Sequence, residues 1–405
     1  MINNSHKLLD VFPNGWEVKK LEEVAKFENG KAHERNIHED GEYIVVNSKF
    51  ISSDGKEYKR SNKNLSPLEK GDIAMVMSDV PKGKALAKCF LVNENNKFTL
   101  NQRICSIKAV GVNNEYLYFY LNRNKYYLTF DNGVGQTNLR KNEVLECPVL
   151  LPPIKEQCKI VTILSSVNKA IGKAEAIIEQ TEKVKNGLMQ QLLTQGIGHT
   201  KFKKTDIGQI PEEWEVVMMG QVIELISGQS SSSNELNYER KGIAYVTGPE
   251  QWNGYHIEET KWVENPRKIA KENSIFITVK GSGVGTIFLG GYYAIGRDVM
   301  AIVPLENINK DYLYYLALYQ AQRIVYNKVG MVPGISRGDI LEFKFGLPKI
   351  SEQVRISKLL TSWDRKLTIE KNKRLKLIEL KKGLMQSLLT GKVRVKIDEA
   401  EVTQV

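Results

Sequence analysis

Residues 151–195 read LPPIKEQCKIVTILSSVNKAIGKAEAIIEQTEKVKNGLMQQLLTQ, and residues 347–391 read LPKISEQVRISKLLTSWDRKLTIEKNKRLKLIELKKGLMQSLLTG. The two stretches align without a gap at a constant offset of 196 residues. Leu151-Pro152 and Leu347-Pro348 open them. Ile154 and Ile350 fall in step, as do Glu156-Gln157 and Glu352-Gln353. Both close on Gly-Leu-Met-Gln-x-Leu-Leu-Thr, from Gly187 to Thr194 and from Gly383 to Thr390. Each copy is expected to be one long helix, with proline in its first turn, where a missing N–H costs nothing. In the first copy the apolar residues fall at Ile160, Leu164, Val167, Ile171, Ala174, Ile178, Val184, Leu188 and Leu192. In the second they fall at Ile356, Leu360, Trp363, Leu367, Leu377, Leu380, Leu384 and Leu388. Alternating threes and fours is the heptad period of a coiled coil. Glu370 and Arg374 interrupt the second seam; they either fix register or mark a looser middle. An amphipathic helix lying on a globular core would show a similar stripe, but two such helices in one chain favour pairing with each other.

Geometry gives the expected direction of pairing. Some 40 helical residues span roughly 60 Å. The linker 196–209 reaches at most roughly 48 Å when fully extended. A parallel pair would need the chain to return to the start of the first helix. An antiparallel pair does not. The expected fold class is therefore α+β, with two tandem globular domains separated by an antiparallel coiled coil of two long helices, related by an approximate twofold axis. The boundaries are 12–150 and 210–346 for the domains, 151–195 and 347–391 for the helices, 196–209 for the linker and 392–405 for a C-terminal tail. Residues 1–11 read as a loose lead-in.

The domains repeat as well. Phe12-Pro13-Asn14-Gly15-Trp16-Glu17-Val18 has its counterpart in Ile210-Pro211-Glu212-Glu213-Trp214-Glu215-Val216. A tryptophan opening a domain twice reads as a packing anchor. Strands are expected at Ile44–Val46, Ile73–Met77, Phe98–Ile107, Cys147–Leu151 and Ser274–Val279. Pro/Gly loops follow at 78–84 and 280–286. Helices begin at Glu115 and Asp311, and polar loops follow at 133–140 and 334–337. Arg297-Asp298 falls where Gln102-Arg103 stands. Only 28–65 and 226–268 share almost nothing. A duplicated scaffold with two different faces suggests two different targets, although loop drift gives the same pattern.

The chain of 405 residues carries 58 Lys and Arg against 47 Asp and Glu, a net charge of +11, which favours a polyanionic partner. Cys89, Cys105, Cys147 and Cys158 lack CxxC or metal spacing and read as buried or incidental thiols in a reducing cytoplasm. No apolar signal core opens the chain and no run of 18 apolar residues is present, so no membrane association is expected. Gly281–Thr286 has the outline of a phosphate loop but lacks its Lys-Ser/Thr, and Ile287-Phe288-Leu289 after it reads as strand. His33 and His38 sit in a polar stretch without metal spacing. Glu379-Leu380-Lys381 fits a short nuclease pattern but lies inside the helix, with no acidic partner upstream. No methyltransferase loop, helicase motif or catalytic constellation stands out. What does stand out is a supply of Lys and Arg for phosphates and of Asn, Gln and Arg for base edges, with Tyr238, Trp252 and Tyr255 close by in sequence.

On the repeated Leu-Pro-x-Ile-x-Glu-Gln helices that end Gly-Leu-Met-Gln-x-Leu-Leu-Thr, each behind a Trp-headed domain, the chain resembles the specificity subunit of type I restriction-modification enzymes. The resemblance spans about Phe12 to Gly391. It implies that each globular unit is a target recognition domain for one half of a bipartite site in double-stranded DNA. It implies two docked modification (methyltransferase) subunits that methylate adenine, and two restriction (motor-nuclease) subunits that can join them. S-adenosylmethionine, ATP and Mg are implied for those partners and no cofactor, metal or catalytic residue for this chain. Half-sites on one face of a duplex lie about one turn apart, roughly 34 Å. A stiff helix pair would hold that spacing while the partners extrude a base.

The residues expected to meet DNA are Lys49, Arg60, Lys82, Lys84, Gln102, Arg103, Gln136 and Asn138 in the first domain. In the second they are Arg240, Lys241, Gln251, Asn253, Lys280, Ser282, Arg297, Ser336 and Arg337. Leu188–Leu193 and Leu384–Leu389 either join the partner surface or pack the helices, with Gly187 and Gly383 allowing close helix approach. Two other classes compete: a coiled-coil adaptor whose globular ends bind proteins, and a self-contained enzyme. Salt-dependent duplex binding separates the adaptor from the specificity subunit, and methylation or cleavage by the chain alone would mark the enzyme.

Overall fold

A computed structural model of the chain describes residues 13–80, 83–281, 283–327 and 334–397, without the side chains of 322 and 324–327. Two compact units emerge, Met1–Ala174 with Lys373–Val405 and Glu175–Asn372. The two repeated stretches form helices at Ile154–Gln195 and Ile350–Leu388.

In the first unit, strands Ala25–Asn29, Ile104–Ala109, Ile73–Val76 and Cys89–Leu91 form one antiparallel sheet in that order. A second sheet runs Lys59–Ser61, Tyr43–Val46, Phe98–Leu100, its last pair parallel. The stretch expected as one strand over 98–107 is thus two, because the chain changes sheets at the turn Asn101–Arg103. Glu17–Lys20 pairs with Pro148–Leu151, bringing the ends of the domain together at the foot of the first long helix. The core joins Trp16, Ile73, Ile107, Tyr116 and Val149 to Ile160 and Leu164 of the first long helix and to Leu388 and Leu389 at the end of the second.

The second unit repeats the plan. One sheet runs Ile223–Ser227, Val299–Pro304, Ile275–Thr278, Ile287–Leu289, and the other Leu236–Asn237, Trp262–Val263, Ile243–Val246, Ala294–Ile295. Glu215–Met218 pairs with Lys344–Leu347. The stretch expected as a linker carries a hairpin, Phe202–Thr205 against Gly208–Pro211. Here Met189, Leu192 and Leu193 share a core with Ile356, Leu360 and Trp214. In each unit the start of one long helix therefore meets the end of the other, which is the antiparallel order. Leu164 and Leu360 are fully buried, and burial contributes on the order of 2 kcal/mol for each.

The repeated Glu-Gln pair has a structural reason. Gln157 Nε2 donates to the Pro152 carbonyl at 2.8 Å, and its Oε1 accepts from the Asn113 backbone N–H at 2.9 Å. Gln353 does the same with Pro348 (2.8 Å) and Asn309 (2.7 Å). Asn113 and Asn309 in turn cap the Tyr-rich helices Asn114–Leu121 and Lys310–Asn327 through Tyr116 and Tyr312. The neighbouring glutamates hold the tryptophans. Trp16 Nε1 donates to Glu156 at 3.2 Å and Trp214 Nε1 to Glu352 at 3.0 Å. A basic side chain from beyond the opposite helix end completes each site: Arg394 pairs with Glu156, and the His199 ring lies 2.9 Å from Glu352. Pro152 and Pro348 precede their helices instead of opening the first turn, since Pro153 and Lys349 already accept the first helical hydrogen bonds.

The helix seam differs from expectation in its middle. Val184 and Leu380 are 37% and 51% exposed. The heptad instead continues through Thr181 and Lys185 on the first helix, and through Leu377 and Lys381 on the second, with Glu370 and Arg374 half-buried between. Val167, Ile171, Trp363, Leu188 and Leu384 are half-buried in it, and Leu192, Leu367 and Leu388 buried. Gly187 and Gly383 do not serve close helix approach, because a Cβ at either would meet nothing within 4 Å.

Lys185 and Lys381 occupy the same position of the repeat, with unlike surroundings. Lys185 pairs with Asp364, whose other oxygen accepts from Tyr315 at 2.7 Å. By the repeat, Asn168 and Phe119 stand where Asp364 and Tyr315 would serve Lys381. Burial lowers the Lys381 pKa, opposed by Asp54. Over the interval below 10.5 the unfolded chain then holds the proton more tightly, so this group's contribution makes stability rise with pH. Lys381→Met is expected to stabilise the chain by about 1 kcal/mol at neutral pH and to remove that rise, whereas Lys185→Met, which leaves Asp364 without its cation, should destabilise it. Denaturant titrations at pH 7 and 9.5 test both signs.

Cys89, Cys105 and Cys147 are buried, and Cys158 is exposed on the first long helix. Burial pushes Cys105 and Cys147 up to about 12 and raises Cys89 well above the ordinary thiol range. An aromatic disulfide reagent at pH 8 should titrate one thiol in the native chain and four after denaturation. Faster reaction at a second native thiol would contradict this packing.

Candidate nucleic-acid interface

Part of the expected contact set lies at one end of the sheet that holds Ile73–Val76 in the first domain and Ile275–Thr278 in the second, whereas Lys49, Arg60, Arg240, Lys241, Gln251 and Asn253 lie on segments of the other sheet. In the first domain the Met77 N–H donates to the Arg103 carbonyl (3.0 Å), and the Leu139 N–H donates to the Met77 carbonyl (2.7 Å). Three loops are thereby tied together: 78–86, 101–103 and 133–140. Ser78–Asp79 pairs with Thr137–Asn138. Asp79 shapes the first loop by accepting from the Ala85 and Leu86 N–H groups at 2.7 and 3.0 Å. A Cβ at Gly83 would lie 2.1 Å from its carboxylate, so a side chain there would displace Asp79 from these bonds. Lys84 is exposed in this loop.

The second domain builds the same corner. The Val279 N–H donates to the Asp298 carbonyl (2.8 Å) and the Ile335 N–H to the Val279 carbonyl (3.0 Å). Lys280 and Arg297 are exposed beside Ser336 and Arg337. Ser336 caps the short helix Arg337–Leu341 through Asp339. Lys82 and Ser282 lie outside the described residues.

Internal contacts distinguish the candidates. Gln102 donates to Glu34 at 2.7 Å, Gln136 donates to Ser78 at 2.6 Å, and Asn138 accepts from Ser78 at 2.6 Å. Arg337 is held by the Leu225 carbonyl and Ser227. Lys49 pairs with Glu57 at 2.6 Å and Lys241 with Glu239 at 2.6 Å. Arg297 sits a loose 3.8 Å from Asp298. Asn253 joins a surface turn with His256 and Glu258. Gln251 is buried, its amide divided between Thr247 and the Tyr245 carbonyl; its structural role is to brace the turn after the strand Ile243–Val246. Tyr238 and Tyr255 are 74% and 62% exposed. Trp262, outside the expected set, lies beneath Arg240; a residue far along the chain leaves no local signal of such a contact.

His33 is buried, with its ring nitrogens on the Lys31 carbonyl (2.7 Å) and Thr99 (2.8 Å), so it is a satisfied core histidine. Among the described residues no three metal-ligating side chains converge, and no helix is long and apolar enough to cross a membrane.

Comparison with known proteins places this architecture. The family model of the type I restriction modification DNA specificity domain matches twice, at residues 13–183 and 211–380. The type I restriction enzyme MjaVIII specificity subunit of Methanocaldococcus jannaschii is 26% identical over 416 residues, covering 95% of this chain and 94% of that one. A chain from a study of complex assembly and conformational transition of the type I R-M system has a TM-score of 0.62 at 19% identity, covering 95% of this chain and 100% of that one. The type I S subunit from M. genitalium gives 0.58 at 18%, covering 96% and 99%. The two matched segments take in both globular domains and most of both long helices, and the chain belongs to the type I restriction-modification DNA specificity family.

Proposed function

We propose that this chain selects an asymmetric, interrupted sequence in double-stranded DNA, one half-site per domain, and carries two adenine methyltransferase subunits to it. Two motor-nuclease subunits join in the restricting complex. The cofactors S-adenosylmethionine, ATP and Mg belong to those partners. One observation carries the reading: the duplicated framework repeats strand for strand, while 28–65 and 226–268 differ between domains. The corner loops, with Lys84, Arg103, Lys280 and Arg297 exposed, suit phosphate contact in both domains. The diverged segments suit base reading.

A further pattern supports a partner that binds twice. Among the residues identical between the two long helices, Gln157 and Gln353, Ile160 and Ile356, Leu164 and Leu360, and Leu192 and Leu388 are buried in both copies and so explained by packing. Ile154 and Ile350 are not: they are 52% and 45% exposed. Gly187 and Gly383, and Gln190 and Gln386, are also exposed in both copies. Exposed identity across a duplication fits one protein docking at two equivalent places. Gly187→Lys should leave the chain at least as stable, since glycine within a helix costs about 1 kcal/mol. It should nonetheless reduce the bound methyltransferase subunits from two to one in native mass spectrometry. Retention of two would remove these glycines from the docking surface.

The function itself is tested by expressing the chain with its methyltransferase partner in a methylation-free host and mapping modified adenines. A bipartite motif that disappears without the chain is expected. An assembled complex that methylates no motif would favour the adaptor reading.

A further inference from the structure

The segments 28–65 and 226–268 share no sequence pattern, yet they place the same chemical pair at the same point of the same sheet. In the first domain Tyr43–Val46 is flanked by Lys59–Ser61 (antiparallel) and Phe98–Leu100 (parallel). In the second, Ile243–Val246 is flanked by Trp262–Val263 (antiparallel) and Ala294–Ile295 (parallel). Ser61 pairs with Tyr43 and Arg60 with Ile44. Val263 pairs with Ile243 and Trp262 with Ala244. Arg60 and Trp262 therefore occupy equivalent positions. The Arg60 guanidinium lies 5.5 Å from the ring of Tyr58, which stands just before the strand. The Arg240 guanidinium, reaching from the preceding turn, lies 5.6 Å from the ring of Trp262. In one domain the strand supplies the arginine, in the other the aromatic.

Both pairs abut the chain that enters the central strand. Arg60 Nη1 donates to the Gly41 carbonyl at 3.1 Å, and Arg240 stands two residues before Gly242. A Cβ at Gly41 would lie 2.6 Å from the Ser61 backbone, and one at Gly242 would lie 2.2 Å from the Val263 carbonyl oxygen. Each glycine thus presses on the end of the paired strand. Arg240 has a φ of +60°, a left-handed conformation that disfavours arginine. Asn237 holds it there, accepting from the Glu239 and Lys241 N–H groups. Among the described residues neither guanidinium is paired with a carboxylate, whereas the neighbouring Lys49 and Lys241 are.

A guanidinium resting on an aromatic ring loses freedom of orientation while its N–H groups stay in the plane of the fork; Arg60 gives one of its five to Gly41 and retains the others. That fork matches the O6 and N7 acceptors of guanine in the major groove. A phosphate would accept it too, but phosphate contact is common to all sequences and suits the shared corner loops. These arginines lie in the segments that differ. We propose that Arg60 and Arg240 each read a guanine in the half-site of their own domain. This rests on the DNA-specificity reading above.

The test is the methylome of the assembled complex carrying Arg60→Lys or Arg240→Lys, which keep the charge but not the bidentate fork. Arg60→Lys should lower discrimination for guanine at one position of one half-site by roughly tenfold to a hundredfold, leaving the other half-site unchanged. Arg240→Lys should do the same in the other half. Tyr58→Leu, at a ring 51% exposed, should relax the same position as Arg60→Lys and serves if that variant does not fold. Uniformly weaker binding with an unchanged motif would make these arginines phosphate contacts and overturn the assignment. So would no change at all. If even the wild-type complex yields no motif, the specificity function falls first and the assignment with it.

Discussion

Replacing Trp214 with alanine is expected to destabilise the unit Glu175–Asn372 by about 3–5 kcal/mol, the usual cost of emptying a tryptophan site in a core. The indole is 1% exposed and bonds Glu352 at 3.0 Å. Its ring is closely covered by backbone: a Cβ at Gly196 or Gly346 would lie 2.7 Å from it. Little can therefore move in to fill the hole. Glu352 also holds the Ile197 N–H at 3.0 Å and His199 at 2.9 Å, so one side chain joins the domain entry, the second long helix and the chain leaving the first. Hydrogen exchange should show protection lost across 175–372 and largely kept from 13 to 174. Equal loss in both would mean that the two units unfold as one, and an unchanged profile would contradict the anchor role.

Gln353→Leu is expected to cost about 2–4 kcal/mol in the same unit, although it keeps side-chain volume and adds apolar surface. The reason is stranded backbone partners, among them the Asn307 carbonyl at 3.3 Å. The Asn309 N–H and the Pro348 carbonyl both lose their bonds to a fully buried amide, and a buried polar group without a partner costs about 1–3 kcal/mol. Gln353→Glu should be nearly as harmful, because a carboxylate can accept from Asn309 but cannot donate to Pro348. The matching change at Gln157 should act on the other unit. Chemical denaturation with fluorescence at Trp214 or Trp16 reads each unit; if Gln353→Leu proved neutral, the motif's glutamine would have no structural reason here.

Much of this was legible in the primary structure. The 196-residue offset revealed the duplication, and the heptads revealed the helices, because periodicity survives where identity fades. The antiparallel order followed from chain length alone. The seam's middle was not legible. An apolar count reads Val184 and Leu380 into it, whereas helical geometry admits Thr181, Lys185 and Lys381 and leaves those two outside. A long aliphatic stem can lie in a seam while its charge finds Asp364, and hydrophobicity does not record this. Gln251 was similarly opaque: a polar residue in a variable loop looks like a reader until its amide is found satisfied by the backbone around it.

The sequence by itself thus determined the architecture, two domains and two pairing helices, and through its repeated motifs the family. Only the tertiary structure decided which side chains are free to act. It buried the amide of Gln251 among backbone partners, bonded Gln102 to Glu34, set Lys49 and Lys241 in exposed ion pairs, and laid Arg60 and Arg240 on aromatic rings at equivalent corners of two dissimilar segments. Periodicity is carried by the order of residues along the chain, but a side chain's availability depends on what the fold brings beside it, and those neighbours come from anywhere in the sequence.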